Sequence, residues 1–180
     1  IKQSEKIEAI SRNEALNESR RCKFENDSIK GSVSLKGSII DDLTFKKYKI
    51  KLDEPNPFVL LNPKKTNDGY YLETGWVTNN KNIEMPNSDT LWKISGNSNL
   101  APNNPVTIEW VNKQNIKFKK KFSIDNQYLF TIDQSVKNNT ENSYSLYPYG
   151  QVVRNKSPET QNFFILHEGL VGVFDDQLVE

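Results

Sequence analysis

From Cys22 onward, apolar and polar residues alternate with a period of two. Cys22 and Phe24 alternate with Lys23 and Glu25, and Val33 and Leu35 with Ser32, Ser34 and Lys36. Leu43 and Phe45 alternate with Asp42 and Thr44; Val106, Ile108 and Trp110 alternate with Thr107 and Glu109. Successive side chains of a strand point to opposite faces, so the pattern predicts strands with one buried and one wet face. Gly37, Asp68-Gly69, Gly96 and the pairs Asn56-Pro57, Asn62-Pro63 and Asn104-Pro105 supply turns between them. Short strands, frequent turns and little helical periodicity predict a mainly all-β fold, a sandwich or barrel.

The clearest unit covers residues 115–155. Ile116, Phe118, Phe122 and Ile124 line one face of a strand, Asp125-Asn126 turns the chain, and Tyr128, Phe130 and Ile132 line the next, which continues to about Val136. The polar cluster Asn138-Asn139-Thr140-Glu141-Asn142 turns it again, and residues 143–154 form a third strand, completing a predicted antiparallel meander. Lys120 breaks the pattern, because it stands in register with Phe118 and Phe122. A bulge there, or a lysine snorkelling to an edge, would reconcile it. The stretch Tyr147-Pro148-Tyr149-Gly150 and residues 163–175 are dense in apolar and aromatic side chains within a polar chain, and predict core.

Residues 1–20 hold the helical candidate. Ser11-Arg12-Asn13-Glu14 fits a capping box, in which the serine accepts from an early amide and the glutamate reaches back. Ile7, Ile10 and Leu16 give a thin apolar stripe, as expected of a short, partly exposed helix or a frayed arm. Residues 53–69 and 79–89 read as loops, with Phe58-Val59-Leu60-Leu61 a short buried strand inside the first. The division expected is an arm or short helix over 1–20 and a β-sandwich domain over 21–180.

Composition narrows the function classes. A chain of 180 residues is long enough for one domain with a real core. Its 24 basic and 23 acidic residues nearly cancel, which argues against nucleic acid as a partner. The run Lys117, Lys119, Lys120, Lys121 reads as a solvated strand face. A mean hydropathy of −0.72 and abundant Asn and Lys fit an AT-rich source genome. The sequons at Asn17, Asn26, Asn138 and Asn155 arise readily by chance in such a composition. Cys22, the single cysteine, cannot form a disulfide within its chain and is expected to be a buried, inert thiol. No apolar run approaches the ~20 residues needed to cross a bilayer, and no signal-peptide pattern is visible. The chain opens at Ile1 without a methionine and is read as a segment of a longer protein.

Candidate chemistry is sparse. His167 is the single histidine, so the usual zinc sets and His pairs are excluded. It lies in an apolar stretch and reads as structural; no Gly-x-Ser-x-Gly elbow or Gly-rich phosphate loop accompanies it. The pairs Asp41-Asp42 and Asp175-Asp176 are strand neighbours expected to point to opposite faces, and read as turn or solubilising residues. Trp76, Trp92, Trp110, Tyr70, Tyr71 and Tyr147 could form a sugar platform, although Trp92 and Trp110 alternate with apolar partners and read as core. No residue is assigned a catalytic, cofactor-binding or metal role.

The motifs resemble a known family. They are Gly31-Ser32-Val33-Ser34-Leu35-Lys36-Gly37, Ile40-Asp41-Asp42-Leu43 with Lys47-Tyr48, Gly75-Trp76, Tyr128-Leu129-Phe130, Leu146-Tyr147-Pro148-Tyr149-Gly150 and Phe164-Ile165-Leu166-His167-Glu168-Gly169 through Gly172-Val173-Phe174. In order and spacing they resemble the periplasmic domain of the YidC membrane protein insertases (the YidC/Oxa1/Alb3 family), in its α-proteobacterial form, over roughly residues 12–180.

The resemblance implies an antiparallel, twisted β-supersandwich similar to sugar mutarotases, without catalytic activity or cofactor. It implies a parent chain anchored in the inner membrane, with this domain on its periplasmic face. The implied partners are the Sec translocon with its accessory proteins, and nascent inner-membrane proteins that the insertase helps to insert and fold. Family domains continue past the Gly172-Val173-Phe174-Asp175 motif, so an incomplete sandwich with an open edge, able to pair with another copy, is expected. The alternatives are a carbohydrate-binding or mutarotase-like sandwich, against which the single histidine counts, and an adhesive β domain.

Overall fold

A computed structural model describes residues 9–51, 53, 55–156 and 171–179. The helix α1 (Arg12–Asn17) precedes the strands β1 (Arg21–Glu25), β2 (Ile29–Ser34), β3 (Ile40–Lys49), β4 (Pro57–Leu61), β5 (Tyr70–Val77), β6 (Lys93–Ser95) and β7 (Asn99–Leu100). Then follow β8 (Val106–Val111), β9 (Ile116–Ile124), β10 (Phe130–Asn138), β11 (Tyr147–Arg154), β12 (Gly172–Phe174) and β13 (Gln177–Val179). The first sheet runs β11-β5-β3-β2-β1-β7, with β4 also on β3; the second runs β10-β9-β8-β6. Pairing is antiparallel except between β1 and β7. This is an all-β sandwich, one of the two architectures that the alternation predicts, with the short N-terminal helix that the capping box predicts.

The apolar faces of the two sheets meet in one core. Phe24, Val33, Leu43 and Trp76 from the first sheet join Val106, Ile108, Phe118 and Phe122 from the second. Trp76 and Phe118 pack edge-on with ring centroids 5.3 Å apart, and Phe24 meets Phe130 at 5.0 Å. Each such side chain contributes roughly 1.5–3 kcal/mol by leaving water. Around the core, α1 has the full capping box: Ser11 Oγ accepts from the Glu14 amide, and Glu14 accepts from the Ser11 amide at 2.9 Å. Cys22 is buried, its Sγ donating to the Ser98 carbonyl at 3.3 Å, and burial pushes the thiol pKa up, as befits an inert thiol.

Several expectations are corrected. The meander stops after two strands: β9 and β10 pair from Ile116↔Asn138 to Ile124↔Phe130, but β11 crosses to the other sheet and pairs with β5 from Tyr147↔Val77 to Arg154↔Tyr70. The polar connection before β11 is long enough to cross the ~10 Å between stacked sheets, and alternation alone does not specify a strand's partner. Residues 147–154 therefore form an edge strand, largely exposed rather than core, and β12 and β13 pair only with each other among the described residues. Phe58 is exposed and Val59 and Leu60 half-buried, so β4 is a surface strand with only Leu61 inside. The supposedly wet positions Ser32, Ser34 and Thr44 are buried. The loop expected at 79–89 is present. His167 and the apolar motif around it lie outside the described residues.

Candidate functional site

Lys120 neither sits on a bulge nor reaches an edge. The registers of β9 with β8 and with β10 run through it without a shift. It faces the core and is 1% exposed. Its Nζ donates to Ser38 Oγ and to the Thr74 carbonyl, and lies 5.2 Å from the Trp92 ring centre and 5.7 Å from that of Trp76. Gly37 and Ser38, with φ of 75° and 56°, form the tight turn that presents the serine. Burial pulls the amine down to about 7, opposed by the charge of Glu73. Glu73 accepts from Tyr149 Oη at 3.1 Å and from Gln151 Nε2 at 3.3 Å; burial first, then Glu73, pushes the Tyr149 phenol up to about 12. A cavity of about 10 Å³ between Glu73, Trp92, Lys120 and Tyr149 has room for one water. Among the described residues, buried Trp92 Nε1 has no hydrogen-bond partner. The Lys120 amine is enclosed, and its contacts tie the two sheets together.

The carboxylate pairs behave differently from each other. Between β2 and β3 the register passes from Ser32↔Asp42 to Val33↔Ile40, leaving Asp41 as the extra residue of a bulge. The bulge overturns the expectation that the neighbours face apart. Asp41 pairs with Arg21, Arg21 Nε donates to Ser32 Oγ at 2.7 Å, Ser32 Oγ donates to Asp42 at 2.6 Å, and Asp42 pairs with Arg12. These are structural charges, Asp41 buried and the others half-buried, not solubilising ones; burial outweighs the Arg21 charge and raises the Asp41 pKa. Asp175 and Asp176 do occupy a turn, with φ of 48° and 63°, joining β12 to β13. Lys117 and Lys119 share Glu109 at 3.1 and 3.8 Å on the wet face of β9, as the lysine run predicts, with Lys120 the exception.

The aromatics that could have formed a sugar platform do not gather into one, and Trp92 and Trp110 pack inward as their alternation predicts. Trp76, Trp92 and Tyr71 are buried, and Trp110 packs against Phe118 at 5.5 Å. A different aromatic group gathers at one pole of the sandwich. Phe45 forms its floor, with Tyr48, Phe58 and Tyr128 at 5.5, 6.0 and 5.6 Å from it. With Lys49 they line an open cup of about 430 Å³. The β9–β10 turn that carries Tyr128 is fixed by Asn26, whose Nδ2 donates to the Asp125 and Gln127 carbonyls at 2.8 and 3.0 Å. Among the described residues no group of three or more His, Cys, Asp or Glu is placed to hold a metal ion, and no helix is long and apolar enough to cross a membrane.

A family model described as the YidC periplasmic domain matches residues 21–180. The chain belongs to the YidC periplasmic-domain family. It is similar to the membrane protein insertase YidC of Pelagibacter ubique, at 47% identity over all of this chain and 32% of that protein. It is also similar to the insertases YidC of Mesorhizobium japonicum (38% identity, 92% of this chain, 28% of that protein) and Rickettsia bellii (39%, 89% and 29%). The chain thus spans about a third or less of the length of these relatives. Like the resemblance that the motifs carry, the relatives are mostly α-proteobacterial.

Within this YidC-family sandwich, sequence reasoning missed the aromatic cup. Its members are spread over three segments, and alternation makes Phe45 and Phe58 ordinary strand residues. The run Lys46-Lys47-Tyr48-Lys49-Ile50-Lys51 was the available signal. An alternating strand end whose apolar members are flanked by lysines on both sides is poorly suited to burial.

Proposed function

We propose that this chain is a non-catalytic domain on the periplasmic face of an inner-membrane insertase. It would position the parent protein by contacting Sec translocon components or nascent inner-membrane proteins. The observation that carries this reading is the family match over residues 21–180, joined by relatives named membrane protein insertases. The geometry supports a binding role: the perturbed amine at Lys120 is sealed in the core, whereas apolar side chains are grouped on the surface at one pole. Residues 21–180 would be the sandwich domain and 1–20 an arm leading into it. No cofactor is needed for such a role.

The test is fractionation of the source cells with antiserum raised against this chain. A band far heavier than 20.8 kDa, in the inner membrane and released only by detergent, is expected. A soluble band near 20.8 kDa would overturn the reading. Cross-linking from the domain surface in intact cells should then recover translocon components or inner-membrane proteins under synthesis.

A further inference from the structure

Large apolar side chains stand exposed at the aromatic pole. Tyr48 is 56% exposed, Ile50 58% and Leu129 64%. Tyr48 lines the cup with Phe45, Phe58 and Tyr128, its ring centre 6.4 Å from that of Tyr128, and Ile50 and Leu129 follow the lining residues Lys49 and Tyr128 in the chain. Large apolar side chains standing together on a protein surface mark contact sites, and tyrosine is enriched at protein interfaces and their hot spots.

The charge of the cup is one-sided. Lys49 is the charged residue lining it, and among the described residues no carboxylate lies within ion-pair distance of its ammonium. Lys46 is taken by Glu25 at 2.8 Å, and Lys47 donates to Ser28 Oγ at 3.2 Å. Asp125, below Tyr128, already accepts from the Gln127 and Leu129 amides at 2.8 and 3.0 Å. An occupant of the cup would therefore bring its own negative charge.

Position selects the class of occupant. The Ile10 amide donates to the Lys65 carbonyl, Arg12 to Asn62, and Asn155 to the Lys64 carbonyl. Ile10, Arg12 and Asn155 thus stand at the end of the sandwich near the 62–69 loop. Lys49 lies seven residues along β3 from Asp42, roughly 23 Å toward the opposite pole at ~3.3 Å per residue. In the insertase reading, a membrane anchor ahead of Ile10 puts the cup at the pole away from the bilayer.

We propose that the Phe45–Tyr48–Phe58–Tyr128 cup with Lys49 is a protein-docking face, which receives a partner segment presenting apolar side chains next to a carboxylate. The apolar groups would fill the cup against the rings, and the carboxylate would pair with Lys49 at its rim. This deepens the insertase reading by naming where a partner is held, and rests on it for the direction of the membrane.

The test uses the purified 180-residue chain and two fluorescein-labelled peptides of about a dozen residues. Both carry the same Leu and Phe residues, one interspersed with Asp and Glu, the other with Lys. The acidic peptide should bind saturably, and roughly tenfold or more tighter than the basic one by anisotropy. Tyr48→Ala should weaken it by about the same factor, and Lys49→Glu should reverse the preference, with near-UV circular dichroism and the thermal midpoint unchanged in both. Equal binding of the two peptides, no binding at millimolar concentration, or no reversal in Lys49→Glu would overturn the proposal. So would tight association with phosphatidylglycerol–phosphatidylcholine vesicles through Tyr48, or dimerisation through Tyr48 in sedimentation. Any of these leaves the fractionation result, and the insertase reading with it, untouched.

Discussion

Lys120 on β9 donates a hydrogen bond to the Thr74 carbonyl on β5, so a lysine crosses the core and ties one sheet to the other. A buried ammonium without a carboxylate in contact is expensive, because the interior does not replace its hydration. That cost is what draws its pKa toward 7. Lys120→Met keeps the length and packing of the side chain and removes the charge; Ser38 can turn its hydroxyl elsewhere. At pH 7 we expect Lys120→Met to match or exceed the parent in urea-unfolding stability, and Lys120→Ala to lose roughly 2–4 kcal/mol by opening a cavity. A loss of that size in both variants would show that the charge itself stabilises the fold.

The pH dependence follows with a definite sign. The folded-state pKa of Lys120 is depressed to about 7 from the ordinary lysine value of 10.5, so between these values the unfolded chain binds the extra proton. Stability should therefore rise with pH above about 7, by at most ~1.4 kcal/mol per unit, and level off below. Above pH 9 the raised pKa values of Cys22 and Tyr149 act in the opposite sense. Chemical denaturation at pH 7, 8 and 9 should show the rise in the parent and its absence in Lys120→Met. A parallel slope in both would place its origin elsewhere.

Arg21 and Asp41 form a half-buried pair in which desolvation already raises the carboxyl pKa. Removing the guanidinium in Arg21→Leu leaves Asp41 without its partner, at a cost of roughly 3 kcal/mol near neutrality. The Asp41 pKa should climb further, so the penalty should grow as pH rises through it and shrink in acid, where the carboxyl is neutral. Thermal midpoints of the variant and parent at pH 4.5 and 7.5 measure this; a penalty independent of pH would rule it out.

Two glycines should respond unequally to alanine. A Cβ on Gly31 would stand 1.9 Å from the Asp42 carbonyl oxygen and 2.6 Å from the Phe24 ring, contacts with backbone and core that cannot move aside. On Gly75 it would meet the ring of Tyr149 at 2.8 Å, a side chain on an edge strand that can swing outward. Gly31→Ala should cost several kcal/mol or abolish folding, on the scale of severe overpacking. Gly75→Ala should cost about 1 kcal/mol, and much less when Tyr149 is also alanine, in a double-mutant cycle. Equal losses at the two positions would contradict the packing described.

Legibility in the sequence depended on range. The α1 cap was readable because Ser11 and Glu14 are three residues apart and each satisfies the other's backbone. The core faces of β1, β8 and β9 were readable because alternation is local to each strand. Lys120 was visible as an anomaly but not its resolution, since Ser38 and Thr74 come from distant segments of the chain. The Asp41–Asp42 pair was misread because the bulge arises from the pairing of β2 with β3, not from either strand alone. The cup was missed because Phe45, Phe58 and Tyr128 meet only when two hairpin ends come to one pole.

The sequence by itself determined the strand grammar, the helix cap, most of the turns and, through its ordered motifs, the family. Each of these is encoded by residues within one element, or by the motif order itself. The tertiary structure decided which strands pair, that β11 joins β5 rather than β10, that a lysine is enclosed between two sheets, and which aromatics remain at the surface. These outcomes depend on which faces meet across the interior. That is set by the combined burial of many residues far apart in the chain, and no single segment carries it.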